Sequence, residues 1–400
     1  MPAQWRLWLH PQLQRLRNLP SILAYSLVSL VCPIRPNSVI FVTNRLGVLT
    51  DNLKFVYDSL DKNQYAVTEV CLPTRTASGW TRLIHNLRFV VAMAQTQYVL
   101  VDDFLPVLYP LRLRRGTRLV QVWHALGALK RVGYSRQGRG GGPPSTSMSH
   151  KNYTDVIVSA ESIRKDFAEA FSVPLQTVHA TGAPRSDLFF DADEQDRILE
   201  PLYDAVPQLK GKRVILFAPT FRGGQKRGAH YPAKFIDLDR FGAALGDHDL
   251  LVIKMHPFIT DPLPIPPAYA DKIIDLSSYH EFNHLLLVAD VLVTDYSSAI
   301  FDYALLGRPV VFYVPDLDDY TRHRGFYYDF DEYAYGPLAR TFPELLSALR
   351  DPQVDEARLR QFHDKFLDRC DGHATQRFID LIFHQGPPIA VDVDHWNSDS

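Results

Sequence analysis

Eleven short apolar runs, spread along the chain, limit what it can fold into. In the first half they are "VIFVT" (39–43), "AVTEVCL" (66–72), "YVLVDD" (98–103), "LVQVWH" (119–124), "DVIVSA" (155–160) and "TVHATG" (177–182). The second half adds "VILFAPT" (214–220), "LLVIKMHP" (250–257), "KIIDL" (272–276), "VLVTD" (291–295) and "PVVFYVP" (309–315). Continuous runs rich in Val and Ile suit parallel strands covered on both faces, and helical-looking segments separate them. That alternation predicts an α/β chain built on open parallel sheets. Eleven strands exceed one comfortable sheet, and the charged "DADEQDRILEPLYDAVPQLKGKR" (191–213) divides the two sets. The expectation is two doubly wound, Rossmann-type domains hinged near residue 195. Ligands of such sheets sit at the carboxyl ends of the strands, so the cleft between two facing domains is the expected site.

Charge is distributed unevenly although the net value is only −2. No acidic residue precedes Asp51, whereas Arg6, Arg15, Arg17, Arg35 and Arg45 do. A second acid-free span, Phe104 to Thr154, holds nine Lys and Arg. Such local fields favour phosphate or an anionic membrane surface over a plain solvated face. No interleaved aromatic platform or known motif supports nucleic-acid binding. Three scattered cysteines form neither a disulfide framework nor a metal spacing, which suits a reducing compartment.

Between Pro20 and Pro33 lies "SILAYSLVSLVC", twelve apolar-rich residues. A spanning helix needs about 20, and no small-residue cleavage site marks a signal peptide. Upstream, "QWRLWLHPQLQRLR" mixes Trp, Leu and Arg in the manner of a segment lying in a membrane interface. Residues 1–37 are therefore expected to attach the protein peripherally to the cytoplasmic face of the cell membrane, a plain docking helix being the alternative. Residues 386–400 read as a disordered tail.

The most informative stretch is "VLVTDYSSAIFDYALLGRPVVFYVPD" (291–316). A buried strand there delivers Asp295 to the crevice, and Ser297 or Ser298 is a natural N-cap for the helix that follows. Unpaired backbone N–H groups at a helix start, joined by two hydroxyls, make a phosphate cradle. Asp302, one turn after Ser298, is placed on the same face. Capping alone would account for one serine. Other strand ends carry polar groups too: Thr220 and Arg222 in "FAPTFRG", His256 in "IKMHP", His124 in "QVWHALGALKR", and Arg185 with Asp187 in "TGAPRSD".

Together these segments resemble the CDP-glycerol glycerophosphotransferases of teichoic-acid synthesis, a family that includes ribitol-phosphate transferases. The matching pieces are "QVWHALGALKRVGYS" (121–135), "TGAPRSD" (181–187), "FAPTFRG" (217–223), "IKMHP" (253–257), "VLVTDYSSAIFDYALLGRPVVFY" (291–313), "DLDDYTRHRGFYYDF" (316–330) and "DGHAT" (371–375). They run in family order over roughly residues 38 to 385. Trp-His-Ala-Leu-Gly-Ala-Leu-Lys departs from the Trp-His-Gly-Thr-Pro-Leu-Lys form of the best-known polymerases. The resemblance implies a GT-B-like pair of domains, with 38–195 binding the acceptor and 196–385 the CDP-alcohol donor. The acceptor would be a lipid-linked saccharide or a growing polyol-phosphate chain.

The reaction so implied is attack of an acceptor hydroxyl on the β-phosphorus of CDP-glycerol or CDP-ribitol, releasing CMP, with glycerol phosphate the first expectation. It asks the protein for in-line positioning and charge neutralisation. A histidine base suits an alcohol nucleophile at neutral pH. His124 is assigned as that base, an assignment that His256 could exchange. His256, Thr220, Arg222, Ser297 and Ser298 would hold the pyrophosphate, with Lys130 and Arg185 as outer phosphate contacts. Asp295 and Asp302 would orient the cradle or donor hydroxyls. No cofactor is called for, and "VDD" (101–103) and "DLDD" (316–319) read as acidic loop edges rather than metal sites. The competing readings are a UDP-sugar glycosyltransferase or epimerase of the same architecture, and a non-catalytic nucleotide-binding membrane protein.

Overall fold

The structure is a computed structural model describing residues 11–384 except 46, 74–76, 140–141 and 224–227. The chain divides into two compact units, one running to Asp187 and resuming at Asp368, the other spanning Leu188–Leu367. The first unit contains α1 (Leu19–Val31), β1 (Arg35–Thr43), α2 (Asp51–Ser59), β2 (Ala66–Cys71), α3 (Gly79–Met93) and β3 (Thr96–Val101). It continues through β4 (Arg118–Gln121), β5 (Asp155–Val158), α4 (Arg164–Phe171) and β6 (Val178–Ala180). Its six strands are all parallel, in the order β2-β1-β3-β4-β5-β6. The order reverses between β1 and β3, which makes their carboxyl ends the switch point of this sheet.

The second unit holds α5 (Ala192–Ala205), β7 (Arg213–Phe217), α6 (Leu238–Ala244), β8 (Asp249–Ile253), β9 (Ile273–Asp275) and α7 (Phe282–Val288). Then come β10 (Val291–Thr294), α8 (Ala299–Ala304), β11 (Val310–Tyr313), α9 (Leu317–Arg324), β12 (Leu338–Ala339), α10 (Phe342–Ala348) and α11 (Glu356–Phe366). These strands too are all parallel, ordered β12-β11-β10-β7-β8-β9. Read from β9, this is the 3-2-1-4-5-6 order of dinucleotide-binding sheets, with its switch point between β7 and β10.

All eleven apolar runs are strands, but several leave the ladder early. β4 ends at Gln121, β7 at Phe217 and β8 at Ile253, each three or four residues before its apolar run stops. The polar residues expected at strand ends therefore lie on short loops just beyond them. β12 has only two residues and no run of its own, so pattern alone did not reveal it.

Two expected boundaries are corrected. The change of unit falls after Asp187 rather than near 195, so α5 opens the second unit. The segment after Leu367 does not belong to the donor half, because it returns to the first unit and forms α12 (Ala374–Ile379) there. Phe378, Ile379, Ile382 and Phe383 join Val39, Phe41, Leu53 and Leu100 in one core. Arg118 donates to the carbonyls of Leu381 and Ile382 while pairing with Asp155 at 2.7 Å. Gly182 (φ +85) makes the return possible, since a Cβ there would lie 2.0 Å from the Arg369 carbonyl oxygen. Such long-range closure has no local periodicity to betray it.

The expected N-terminal segment is partly structured into the first unit. α1 packs against α3, burying Tyr25, whose hydroxyl accepts the Arg114 N–H. Away from Tyr25, α1 exposes Leu19, Leu23, Leu27 and Leu30 at helical spacing, and α3 exposes Trp80 and Ile84. Among the described residues no helix is long and apolar enough to cross a membrane. The first ten residues and the expected disordered tail lie outside the described residues.

Candidate functional site

In the second unit, the loops after β11, β10, β7 and β8 leave neighbouring strands around the switch point. Asp295, just past β10, is 1 % exposed and organises them. Its Oδ1 accepts from the Thr220 N–H (2.8 Å), the Thr220 hydroxyl (2.9 Å) and the Tyr296 N–H (2.6 Å). Its Oδ2 accepts from Arg222 Nη2 at 3.0 Å. Arg222 also forks onto Asp316, Nε to Oδ2 at 2.7 Å and Nη2 to Oδ1 at 2.8 Å. Nη1 donates to the carbonyl and hydroxyl oxygens of Thr220 at 2.8 and 3.1 Å. All five guanidinium N–H groups are thereby engaged. The stacked rings of Tyr296 and Tyr320, 3.9 Å apart, lie 5.0 and 5.1 Å from the guanidinium carbon.

The electrostatics agree with this geometry. Burial disfavours charge on both partners, yet their mutual bonds prevail, so Arg222 is held above its usual pKa and Asp316 below its own. Arg222 and Thr220 were expected to grip pyrophosphate directly. With their donors engaged by Asp295, Asp316 and the oxygens of Thr220, they instead fix the loops after β7, β10 and β11 relative to one another. Asp295, expected to orient the cradle or donor hydroxyls, accepts from Thr220, Tyr296 and Arg222. Asp316 lies in "DLDD", which had read as a mere acidic edge.

The serine pair is what remains open. Ser297 Oγ accepts from the Ala299 N–H at 3.2 Å, which leaves its own O–H to donate elsewhere. Among the described residues, the Ser298 hydroxyl and the N–H groups of Ser297 and Ser298 have no partner. Ser298 occupies the N-cap position of α8, but its side chain caps nothing. Since α8 has six residues, the expected cradle would rest on two turn amides and two hydroxyls rather than on a long helix dipole. Asp302 does not face this cradle with an exposed carboxylate, being 2 % exposed on the buried α8.

His256 lies three residues beyond β8 and is half-buried. Its Nδ1 accepts the Phe258 N–H at 3.2 Å, so the neutral ring carries its proton on Nε2. Phe221 and Phe258 pack on the ring, each with its centroid 4.7 Å away.

The first unit carries the other histidine. His124 lies just past β4, beside the β1/β3 switch point. Its Nδ1 is 3.2 Å from the main-chain oxygen of Asp102. A carbonyl only accepts, so Nδ1 bears the proton and Nε2 keeps a lone pair. Burial pushes the ring's pKa down, while Asp103, with Oδ1 at 3.8 Å, pulls it back up in part. The result is a neutral imidazole at pH 7 with a basic nitrogen. Trp123 packs against the ring, centroids 4.4 Å apart and planes tilted by 35°, and adopts φ +53, a left-handed conformation that is strained for a bulky residue.

Around His124 the chain gathers groups that sequence reasoning missed. Asp102 is 0 % exposed, and its Oδ2 accepts the Thr43 hydroxyl at 3.1 Å while Oδ1 has no partner among the described residues. Burial first, and Asp103 second, push its carboxyl up to about 7 against the pull of Arg45. Asp51 lies 2.7 Å from Arg45 and 3.6 Å from Arg185. Burial would raise its pKa, but the two arginines hold it below the usual range. Arg185 is 6 % exposed and donates to the His124 carbonyl at 2.7 Å, so it braces the histidine loop rather than standing as an outer phosphate contact. Lys130 is half-buried, six residues beyond His124. The signal for Asp102 and Asp103 was present, since "VDD" closes an apolar run as "VTD" does.

A sequence model of the CDP-glycerol:poly(glycerophosphate) glycerophosphotransferase family matches residues 24–384. The teichoic acid poly(ribitol-phosphate) polymerase of Bacillus spizizenii is 42 % identical over 369 residues, 92 % of this chain. The chain spans only 60 % of that relative's length. The teichoic acid ribitol-phosphate polymerase TarK of Staphylococcus aureus is 36 % identical over 356 residues, 88 % of this chain and 69 % of its own. The solved wall teichoic acid polymerase TagF shares the fold, with a TM-score of 0.72 and 24 % identity over 92 % of this chain and 96 % of its own.

Proposed function

We propose, because the chain belongs to the CDP-glycerol:poly(glycerophosphate) glycerophosphotransferase family, that it transfers a polyol phosphate from a CDP-alcohol to a hydroxyl of a teichoic-acid-type acceptor. Ribitol phosphate is the unit we assign, in place of the glycerol phosphate first expected, since both curated relatives above are named for ribitol phosphate. The acceptor in this reading is a polyol-phosphate polymer or its lipid-linked precursor.

Proton abstraction falls to His124. Its Nδ1–H is anchored on the Asp102 carbonyl, which leaves Nε2 as the basic atom, and this observation carries the reading. The acceptor oxygen attacks the β-phosphorus, its proton passes to Nε2, the bond from phosphorus to the bridging oxygen breaks, and CMP leaves. Positioned proton transfer of this kind contributes about 10²–10⁴-fold. In the second unit, the free hydroxyls and amides of Ser297 and Ser298 suit the non-bridging oxygens of the pyrophosphate. Nε2–H of His256 suits the departing oxygen of CMP.

Peripheral attachment to the cytoplasmic face of the membrane is part of the proposal. It is supported by exposed Leu23, Leu27 and Leu30 on α1 and Trp80 on α3, with Arg15, Arg17 and Arg88 exposed nearby in sequence.

CMP release tests the reading. The protein is incubated with CDP-ribitol, CDP-glycerol or a UDP-sugar, with and without a polyol-phosphate acceptor. Acceptor-dependent CMP from CDP-ribitol is expected. Turnover of the UDP-sugar alone would move the chain to glycosyl transfer or epimerisation.

A further inference from the structure

The main chain on either side of His124 is held by two buried amides. Asn52, in the first turn of α2 and 0 % exposed, donates from Nδ2 to the carbonyls of Val122 (3.1 Å) and Trp123 (2.9 Å). Its Oδ1 accepts the Arg185 N–H at 3.0 Å. Gln121, the last residue of β4 and also 0 % exposed, accepts the Trp123 N–H on Oε1 at 2.8 Å. Its Nε2 donates to the Tyr153 hydroxyl at 2.9 Å and to the Asp103 carbonyl at 3.3 Å.

We propose that Asn52 and Gln121 are positioning residues for the transfer step, holding Trp123 in its left-handed conformation so that the His124 ring is aimed before substrate arrives. This rests on His124 being the base. Three features support it. Every hydrogen-bonding atom of the Asn52 amide is engaged, and each bond goes to main chain of the loops that bear His124 and Arg185. A strained backbone at a bulky residue persists only where its surroundings over-determine it, and the two amides bind Trp123 at both its N–H and its carbonyl. Gln121 also reaches the carbonyl of Asp103, the acid that faces His124, so one side chain sets both partners. Neither residue touches the space beside Nε2 in any hydrogen bond, so their effect passes through the ring.

Among the described residues, Asp103, Arg45, Arg185 and Asp51 are charged groups around that ring, and Asp102, whose main-chain oxygen faces Nδ1, carries a carboxyl raised to about 7. The His124 side chain is already 33 % exposed, and releasing the loop exposes it further, which relaxes the burial that lowers its pKa. Asn52→Ala and Gln121→Met, first verified as folded by circular dichroism and urea denaturation, are therefore assayed for CMP release across pH. Displacement of a base by about 1 Å costs on the order of 10²-fold, so kcat should fall about 10–100-fold. KM for the donor should stay within about twofold, as uniform binding is untouched. The acid limb of the kcat profile should move to higher pH.

In a His124→Ala background, Asn52→Ala should add no further loss. A folded Asn52→Ala protein with unchanged kcat and acid limb overturns the proposal, as does an undiminished effect in the His124→Ala background. If Asn52→Ala does not fold, Gln121→Met alone is decisive, because it releases Trp123 from the other side. NMR titration of the His124 ring separates this proposal from the functional reading. A midpoint that moves in either variant supports the clamp, and one that does not overturns it, whatever the activity of His124→Ala says about the base.

Discussion

Nη2 of Arg222 lies 3.0 Å from Oδ2 of Asp295, a carboxylate with 1 % exposure, and this pair ties the loop after β7 to the loop after β10. Removing the arginine would leave a buried charge unpaired, and Arg222→Ala should cost about 3–5 kcal/mol of stability. Urea denaturation at neutral pH measures it. The pH dependence has a definite sign. Asp316 is depressed in the folded state despite burial, so its bond to Arg222 stabilises above the ordinary carboxylate range and the gain is lost as pH falls below it. Arg222→Ala should flatten that acid limb. A variant of unchanged stability with only a raised KM would make Arg222 a substrate ligand after all.

Asp102 behaves in the opposite sense. Burial is the main cause that lifts its carboxyl to about 7, so the folded protein binds a proton more tightly than the unfolded chain. Stability contributed by the protonated form is complete below the unfolded pKa of roughly 4 and is lost as pH rises towards 7. Asp102→Asn should therefore be nearly neutral at pH 4 and stabilising at pH 8. The gain should be on the order of a few kcal/mol, since each pKa unit corresponds to about 1.4 kcal/mol. Thermal melts of both proteins from pH 4 to 8 check it, and a constant difference would contradict it.

The serine pair should behave as a transition-state cradle. Loss of one oxyanion donor commonly costs about 10²–10³-fold in kcat, so Ser298→Ala should slow CMP release by that order while leaving the melting temperature unchanged. Thr220→Val should do the reverse, because its hydroxyl serves Asp295 and accepts from Arg222. Parallel melts and rate measurements on the two variants distinguish these outcomes.

Membrane attachment through α1 predicts that Leu23→Glu with Leu27→Glu abolishes co-flotation with phosphatidylglycerol vesicles. Both side chains are more than half exposed, at 61 % and 64 %, so neither change disturbs the core. Activity on a soluble acceptor should persist. Undiminished flotation of the double variant would remove α1 from the proposal.

Much of the fold was legible because parallel strands buried on both faces leave unbroken apolar runs, and every such run proved to be a strand. Asp295 and His124 were found by the same rule, a polar residue where such a run closes. Asp102, Asp103 and Asp316 met that rule equally, but runs of acids resemble solvated edges until a partner such as Arg222 or His124 is placed beside them. Partner choice was the hidden quantity. Nothing in "FAPTFRG" says that the guanidinium faces two carboxylates rather than a phosphate. The return of α12 to the first unit was hidden for a related reason, since Phe378 and Phe41 are distant in sequence and close only in the folded core.

The central claim is that a neutral imidazole in the first unit drives CMP release from a CDP-polyol. Acceptor-dependent CMP production from CDP-ribitol, compared between the unmodified chain and a folded His124→Ala variant, tests it most directly. The account predicts release by the former and a loss of about 10²–10⁴-fold in the latter. Equal release by both proteins, or none from the unmodified chain with any CDP-polyol, would contradict it.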